Sequence, residues 1–111
     1  MVHSLDVLAE RVVRDGRVAV LVSPGFGAGW SSWADAELQE RLLFDPEVVA
    51  WVEGGKRGPL PNLESKYGVL YDGGAEDLVV EWVPLGVRFR IHEYDGSESI
   101  VLESQDQWFV A

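Results

Sequence analysis

Residues 17–33 read RVAVLVSPGFGAGWSSW, and the rest of the fold is built around this stretch. Its first seven residues form an apolar run rich in valine, which is typical of a strand covered on both faces. Pro24 has no N–H to donate to a neighbouring strand, so we expect the strand to end there. Three glycines at alternate positions then predict a turn that needs positive φ or close approach by another segment. Ser31 or Ser32 can cap a helix that follows the turn.

The same turn is a candidate ligand site. A strand, a glycine-rich turn and a helix start together form the context of a phosphate-binding loop, in which backbone N–H groups bind the anion. The dinucleotide fingerprint GxGxxG needs glycine where this chain has Trp30, and no lysine follows as in a P-loop. A structural role for the glycines is therefore favoured over nucleotide binding. If the turn binds a ligand, the residues involved are Gly25, Phe26, Gly27, Gly29, Trp30 and Ser31.

Helical patterns lie on both sides of this stretch. Apolar residues recur at helical spacing over residues 4–15, and Gly16 is a suitable stop, so a first helix is predicted there. A second helix is expected after the turn. Asp45 followed by Pro46 predicts a further helix start, with the aspartate as the cap and proline at the first helical position. Residues 56–66, KRGPLPNLESK, show no periodicity and predict a loop.

The second half of the chain is dominated by alternating patterns. Strands are predicted at residues 67–71, 78–83, 87–94, 99–103 and 107–110. Asp95-Gly96 favours a two-residue type I′ hairpin turn, which places Ile91 opposite Ile100 and Phe89 opposite Leu102.

A second hairpin is predicted through a turn at residues 83–86. It would place Arg88 between Glu81 and Glu103, and both hairpins would then agree on which face is apolar. The predicted architecture is α+β: an antiparallel β meander with two or three helices packed on one face, forming a single domain over residues 1–111.

Composition narrows the classes of function. The chain has no cysteine and two histidines far apart, so no metal site and no cofactor are predicted. No apolar run reaches membrane-spanning length, and the first residues lack the order of a signal peptide, so a cytoplasmic location is expected. The nucleophile pattern GxSxG is absent. No catalytic residue is predicted, and a non-enzymatic role is favoured over an enzymatic one.

Charge is the second functional signal. The net charge is −10; residues 1–66 carry ten acids and seven bases, whereas residues 67–111 carry nine acids and two bases. Such a field opposes direct nucleic-acid binding and attracts a basic surface on another protein. The simpler alternative is that the charge only maintains solubility. Acids at predicted turns and strand ends are the candidate partner-binding residues: Asp72, Glu76, Asp77, Glu93, Asp95 and Glu98.

The segments SPGFGAGWSSW, LLFDP and RFRIHEYDGSESI together resemble a group of small uncharacterised proteins encoded by bacteriophages and prophages, over residues 17–102. The resemblance implies a mobile-element setting, in which small acidic proteins often block host defence complexes by occupying basic nucleic-acid surfaces. The expected function is a non-enzymatic acidic protein-binding module that inhibits or modulates a host nucleic-acid-handling or defence complex. The alternative is a small-ligand or phosphate-binding domain that uses the turn at residues 25–29.

Overall fold

The computed structural model describes residues 11–68 and 73–103, and within them the fold is α+β. In these ranges two sheets contain antiparallel strands, and three α-helices lie between the second and third described strands. The strands are β1 (Val13–Arg14), β2 (Arg17–Val22), β3 (Val79–Pro84), β4 (Phe89–Tyr94) and β5 (Ser97–Leu102). The helices are α1 (Ala36–Phe44), α2 (Pro46–Glu53) and α3 (Leu63–Tyr67), with short 3-10 helices at Ser31–Trp33 and Ala75–Asp77.

Strand β2 is the centre of the molecule. It is the middle strand of a three-stranded sheet with the order β1-β2-β3, and it is buried from Val18 to its end. Its residues Ala19 and Leu21 face the helices, which explains half of its apolar pattern. The helix-side core consists of Ala19, Leu21, Trp30, Leu42, Val48, Val49, Leu63 and Leu78.

The opposite face of β2 packs against the β4–β5 hairpin. Val18, Val20 and Val22 form the hairpin-side core with Phe44 and Val83. The inner face of the hairpin covers this core with Phe89, Ile91, Ile100 and Leu102. The protein therefore has three layers (helices, sheet and hairpin), and burial of each large apolar side chain contributes about 1.5–3 kcal/mol.

The predicted hairpin between the third and fourth strands is wrong. Strand β3 pairs antiparallel with β2, so that Val18 lies opposite Val83 and Val20 lies opposite Glu81. The predicted meander required Glu81 to lie beside Arg88, and in the structure it does not. Pairing with the central strand lets β3 contribute Val83 to the hairpin-side core and Trp82 to the helix side, which a pairing with the exposed hairpin would not allow.

The second predicted hairpin is confirmed. Asp95 and Gly96 have φ of 49° and 84°, as a type I′ turn requires. Ile91 lies opposite Ile100 and Phe89 lies opposite Leu102, in the predicted register. At the far end Arg88 pairs with Glu103 at 3.5 Å, and both side chains are exposed.

The helix predicted at residues 4–15 is wrong over residues 11–15, the part of it that the structure describes. Val13 and Arg14 form β1, and Asp15 and Gly16 have φ of 50° and 74°, which makes them a second Asp-Gly hairpin turn. The turn brings Val13 opposite Val18, so the local apolar spacing serves a strand rather than a helix. Residues 1–10 of that prediction lie outside the described residues.

Helix boundaries follow their caps. Asp45 accepts the N–H groups of Glu47 and Val48 at 2.9 and 3.0 Å and begins α2, as predicted. Ser31 and Ser32 do not cap α1, because they belong to a 3-10 helix and α1 begins after Asp35.

The loop predicted at residues 56–66 ends in the start of α3, whose N-cap Asn62 accepts the N–H of Ser65 at 3.0 Å. Tyr67 is helical rather than part of a strand, and the rest of that predicted strand beyond residue 68, with the strand at 107–110, lies outside the described residues. Among the helices of residues 11–68 and 73–103, none is long and apolar enough to cross a membrane.

Candidate functional site

The Gly-rich turn, residues 24–30, is packed against the tip of the β4–β5 hairpin. The N–H of Gly27 donates to the carbonyl of Asp95 at 2.8 Å, and the hydroxyl of Ser97 donates to the carbonyl of Pro24 at 2.7 Å. A side chain at Gly96 would overlap the backbone of Ala28. Glycine at the hairpin tip is therefore needed for close approach as well as for its positive φ.

The 3-10 helix Ala75–Asp77 covers the other side of the turn. A Cβ atom at Gly25 would overlap the carboxylate of Asp77, and one at Gly74 would lie 2.9 Å from the carbonyl oxygen of Ala28. The Gly-rich turn, the hairpin tip and the 3-10 helix, which are far apart in sequence, therefore pack in close contact with one another. Gly27 has a φ of 102°, and no other atom lies within 4 Å of the position its Cβ would take, so that residue is required for backbone conformation alone.

Glu98 lies inside this junction and is only 2% exposed. One carboxylate oxygen, Oε1, accepts the N–H of Ser23 at 2.9 Å. The other, Oε2, accepts the N–H of Trp30 at 2.8 Å, the N–H of Ser32 at 3.0 Å and the hydroxyl of Ser32 at 2.5 Å. A buried carboxylate is tolerated only when donors replace its lost water, and these four donors do so.

This arrangement occupies the donors that a phosphate would need. Trp30 and Ser32 lie at the end of the turn, where a phosphate-binding loop presents its N–H groups. Both N–H groups already donate to Glu98. Of the six candidate loop residues, Gly29, Trp30 and Ser31 are buried, whereas Phe26 is 70% exposed.

Glu93 lies directly opposite Glu98 in the hairpin, on the solvent side of the same junction. Its Oε2 accepts the N–H of Gly96 at 2.7 Å and the indole N–H of Trp33 at 3.0 Å. The hydrogen bond from Gly96, followed by that from Trp33, holds the pKa of Glu93 below its ordinary value. The side chain therefore stays ionised and fixed at the surface.

The predicted partner-binding acids gather around the Gly-rich turn. Glu76 and Asp77 are exposed beside Gly25, and Glu93 and Asp95 are exposed at the hairpin tip. Asp72 lies outside the described residues. The prediction that Glu98 is available to a partner is wrong, because its carboxylate is consumed by the four donors. The candidate partner-binding acids and the candidate ligand-loop residues, which the sequence analysis assigned to alternative functions, therefore lie at the same end of the molecule.

Sequence reasoning did not identify two aromatic residues at this end. Tyr94 is 71% exposed next to Asp95, and Trp33 is 47% exposed against Glu93. Phe26, which was a candidate for the ligand loop, joins them on the surface. The signal for Tyr94 was available, since alternation along β4 places it on the face away from Phe89 and Ile91, next to the turn.

A second buried carboxylate lies between the helices. Burial raises the pKa of Asp45, but hydrogen bonds from Lys66, Tyr67 and the N–H of Val48 together lower it by more than burial raises it. The pKa of Asp45 therefore lies below its ordinary value. The ammonium of Lys66 is 2.8 Å from the carboxylate. These contacts join α2 to α3 and cap α2, which accounts for the buried charge without a catalytic role.

No protein-family model, no curated protein and no solved structure matches this chain. Within residues 11–68 and 73–103, no group of three His, Cys, Asp or Glu side chains is placed to hold a metal ion.

Proposed function

We propose that this protein is a non-enzymatic binding module that covers a basic surface on another protein in the cytoplasm. The observation that carries the proposal is the convergence of exposed acids and exposed aromatic rings on one rigid junction. Glu76, Asp77, Glu93 and Asp95 supply the charge. Of the exposed rings, Trp33 donates to Glu93, Tyr94 adjoins Asp95 in sequence, and Phe26 belongs to the Gly-rich turn. We define the acidic–aromatic end as these four acids with Phe26, Trp33 and Tyr94.

Such a surface suits a partner rich in arginine and lysine. Carboxylates attract the basic partner and accelerate its encounter, while aromatic rings supply apolar contact and cation–π interactions with its side chains. Aromatic residues are enriched among those that dominate interface energies. The junction behind the surface is held by hydrogen bonds from Gly27 and Ser97, so the binding groups are ordered before the partner arrives.

The partner class proposed is a host nucleic-acid-handling or defence complex, because such complexes present the basic surfaces that a chain of net charge −10 would occupy. Resemblance to phage and prophage proteins supports the same class. The alternative of a phosphate or small-ligand site at the Gly-rich turn has less support, since Glu98 already accepts the N–H groups that an anion would use.

The proposal is tested with two variants of the acidic–aromatic end. One reverses charge (Glu76→Lys, Asp77→Lys and Asp95→Lys) and the other removes rings (Phe26→Ala and Tyr94→Ala). A matched control makes the same charge change at other exposed acids, Glu37→Lys, Glu64→Lys and Glu81→Lys. Partners captured from host cells are identified by mass spectrometry, and their association is then measured with purified protein.

Charge reversal at the acidic–aromatic end should slow association and reduce its salt dependence, because exposed charges act mainly on the on-rate and are screened within about 10 Å at 0.1 M salt. Removing the rings should instead speed dissociation. The control should bind as the parent does. Equal binding by all variants would refute the proposal, and a thermal shift with phosphate or nucleotides, lost in Gly27→Val, would favour the ligand site.

A further inference from the structure

Two arginines of this chain each contact an aromatic ring and a carboxylate at the same time. Arg14 lies over the ring of Trp82, with its guanidinium carbon 5.2 Å from the ring centroid, and donates to both carboxylate oxygens of Glu53 at 2.8 and 2.9 Å. Arg11 lies over the ring of Phe44 at 3.9 Å and donates to a glutamate of helix α1 at 2.9 Å. A ring face and a carboxylate together therefore bind a guanidinium group twice within this fold.

Trp33 and Glu93 form a third pair of a ring and a carboxylate, at the acidic–aromatic end. The indole N–H of Trp33 donates to Oε2 of Glu93 at 3.0 Å, so the carboxylate lies beside the ring. Among residues 11–68 and 73–103, no lysine or arginine forms an ion pair with Glu93. This pair therefore differs from the other two in having no cation from the described part of the chain.

One carboxylate oxygen of Glu93 is open to a further donor. Its Oε2 accepts the N–H of Gly96 at 2.7 Å as well as the indole N–H of Trp33, which uses both lone pairs of that oxygen. No donor from the described residues reaches Oε1, and the side chain is exposed. Because the two bonds hold the carboxylate in place, an incoming donor meets an acceptor that is already ordered.

The ring of Trp33 is held against the backbone of the Gly-rich turn. A Cβ atom at Gly29 would lie 2.8 Å from Cδ1 and 3.1 Å from Cγ of the ring, so only glycine lets the indole approach the turn this closely. Trp33 is nevertheless 47% exposed. The part of the indole that faces away from the turn is therefore an ordered flat surface beside the open oxygen of Glu93.

We propose that Trp33 and Glu93 together bind the side chain of an arginine on the partner protein. The guanidinium group stacks on the exposed face of the indole and donates to Oε1 of Glu93. A planar guanidinium can meet both groups at once, whereas a lysine ammonium is a compact and strongly hydrated charge. The inference rests on the proposed function, because both residues belong to the acidic–aromatic end, and it adds that the partner presents arginine at this point.

The test uses heptapeptides of glycine and serine with one central arginine, lysine or citrulline, acetylated and amidated so that they have no terminal charge. Each is titrated at low ionic strength into isotope-labelled full-length protein. The indole N–H resonance of Trp33, assigned by its loss in Trp33→Phe, reports binding in NMR spectra. The arginine peptide should shift this resonance saturably and bind at least about threefold more tightly than the lysine peptide. The citrulline peptide, which keeps the planar shape without the charge, should not bind.

Glu93→Gln is the deciding variant, because its amide oxygen can keep the bonds from Trp33 and Gly96 while its NH2 group replaces Oε1. It should weaken binding of the arginine peptide by at least about fivefold. The matched control Glu64→Gln removes the same charge from an exposed helical residue and should bind the peptide as the parent does.

Three results would each overturn the arginine site: equal binding of the arginine and lysine peptides, binding of neither, or undiminished binding in Glu93→Gln. The proposed function is judged separately, by capture of a basic partner with the protein that carries Glu76→Lys, Asp77→Lys and Asp95→Lys. Trp33 and Glu93 are unchanged in that variant. A partner whose association depends on those three acids but not on Glu93 would therefore leave the proposed function standing without the arginine site.

Discussion

Replacement of Glu98 by glutamine tests whether the buried carboxylate holds the Gly-rich turn together. Glutamine keeps the shape of the side chain, and its oxygen can remain with the three donors from Trp30 and Ser32. Its NH2 group then faces the N–H of Ser23, so one hydrogen bond is lost and a buried donor is left unpaired, at a cost of about 1–3 kcal/mol.

The three remaining bonds weaken because charge-assisted bonds are roughly twice as strong as neutral ones. Burying a neutral amide is less costly than burying a charge, which offsets part of the loss. The net expectation for Glu98→Gln is a decrease of about 2–4 kcal/mol in the free energy of unfolding. For a protein whose total stability is about 5–15 kcal/mol, such a change is large.

Urea denaturation followed by tryptophan fluorescence measures the change, with the midpoint compared at a common slope. Glu93→Gln is the matched control, because Glu93 lies opposite Glu98 in the same hairpin but is exposed. A loss in Glu98→Gln no greater than that in Glu93→Gln would show that the four hydrogen bonds do not stabilise the junction.

Five further substitutions, in three comparisons, test separate parts of the structure. Ser32→Ala removes a hydroxyl bonded to a buried carboxylate and should cost about 1–3 kcal/mol, whereas Ser23→Ala removes a buried hydroxyl that has no partner among the described residues and should be neutral or stabilising, as urea titrations will show. Gly96→Ala should lower the melting temperature more than Gly86→Ala, because both residues have positive φ but only the first lies against backbone; equal losses would exclude a tight contact there. In the folded state the pKa of Asp45 is lowered from 3.8, so its stabilisation is complete above that pH and is lost as pH falls through the folded-state pKa. The stability difference between the parent and Asp45→Asn should therefore narrow in acid, and a difference that stays constant down to pH 2 would contradict the cause given for the shift.

Local patterns predicted the parts of the fold that depend on neighbouring residues. The unbroken apolar run of β2 indicated burial on both faces, and the structure places a core on each side. Asp95-Gly96 predicted the register of β4 and β5, and Asp45 with Pro46 predicted the start of α2. In each case the deciding interaction (burial of a continuous run, turn conformation or helix capping) involves residues close together in sequence.

Long-range pairing could not be predicted in the same way. Strand β3 was assigned to its neighbour in sequence, but it pairs with β2, more than 50 residues earlier. Asp15-Gly16 is the same dipeptide as the predicted hairpin turn, yet helical spacing in the preceding residues favoured the wrong assignment.

Glu98 was assigned to the surface because it lies at a strand end next to the predicted Asp95-Gly96 turn, and turns project into solvent. Its register with Ile100 and Leu102 places it on the inner face of the hairpin, and this signal was present in the sequence. The donors that make its burial possible come from a distant segment, which no local pattern reveals.

The position of Glu98 in the chain also affects the order in which the protein can assemble. Its donors precede it by 66–75 residues, and the hairpin that carries it is also the layer that covers the Val18 face of β2. A nascent chain that stops short of the hairpin therefore has an uncovered apolar strand and three N–H groups without their acceptor. Strand β2 and the Gly-rich turn cannot complete their packing until the β4–β5 hairpin has been synthesised. Folding on the ribosome therefore cannot proceed segment by segment. Contacts of such separation slow folding, and we expect the molecule to fold and unfold as one cooperative unit.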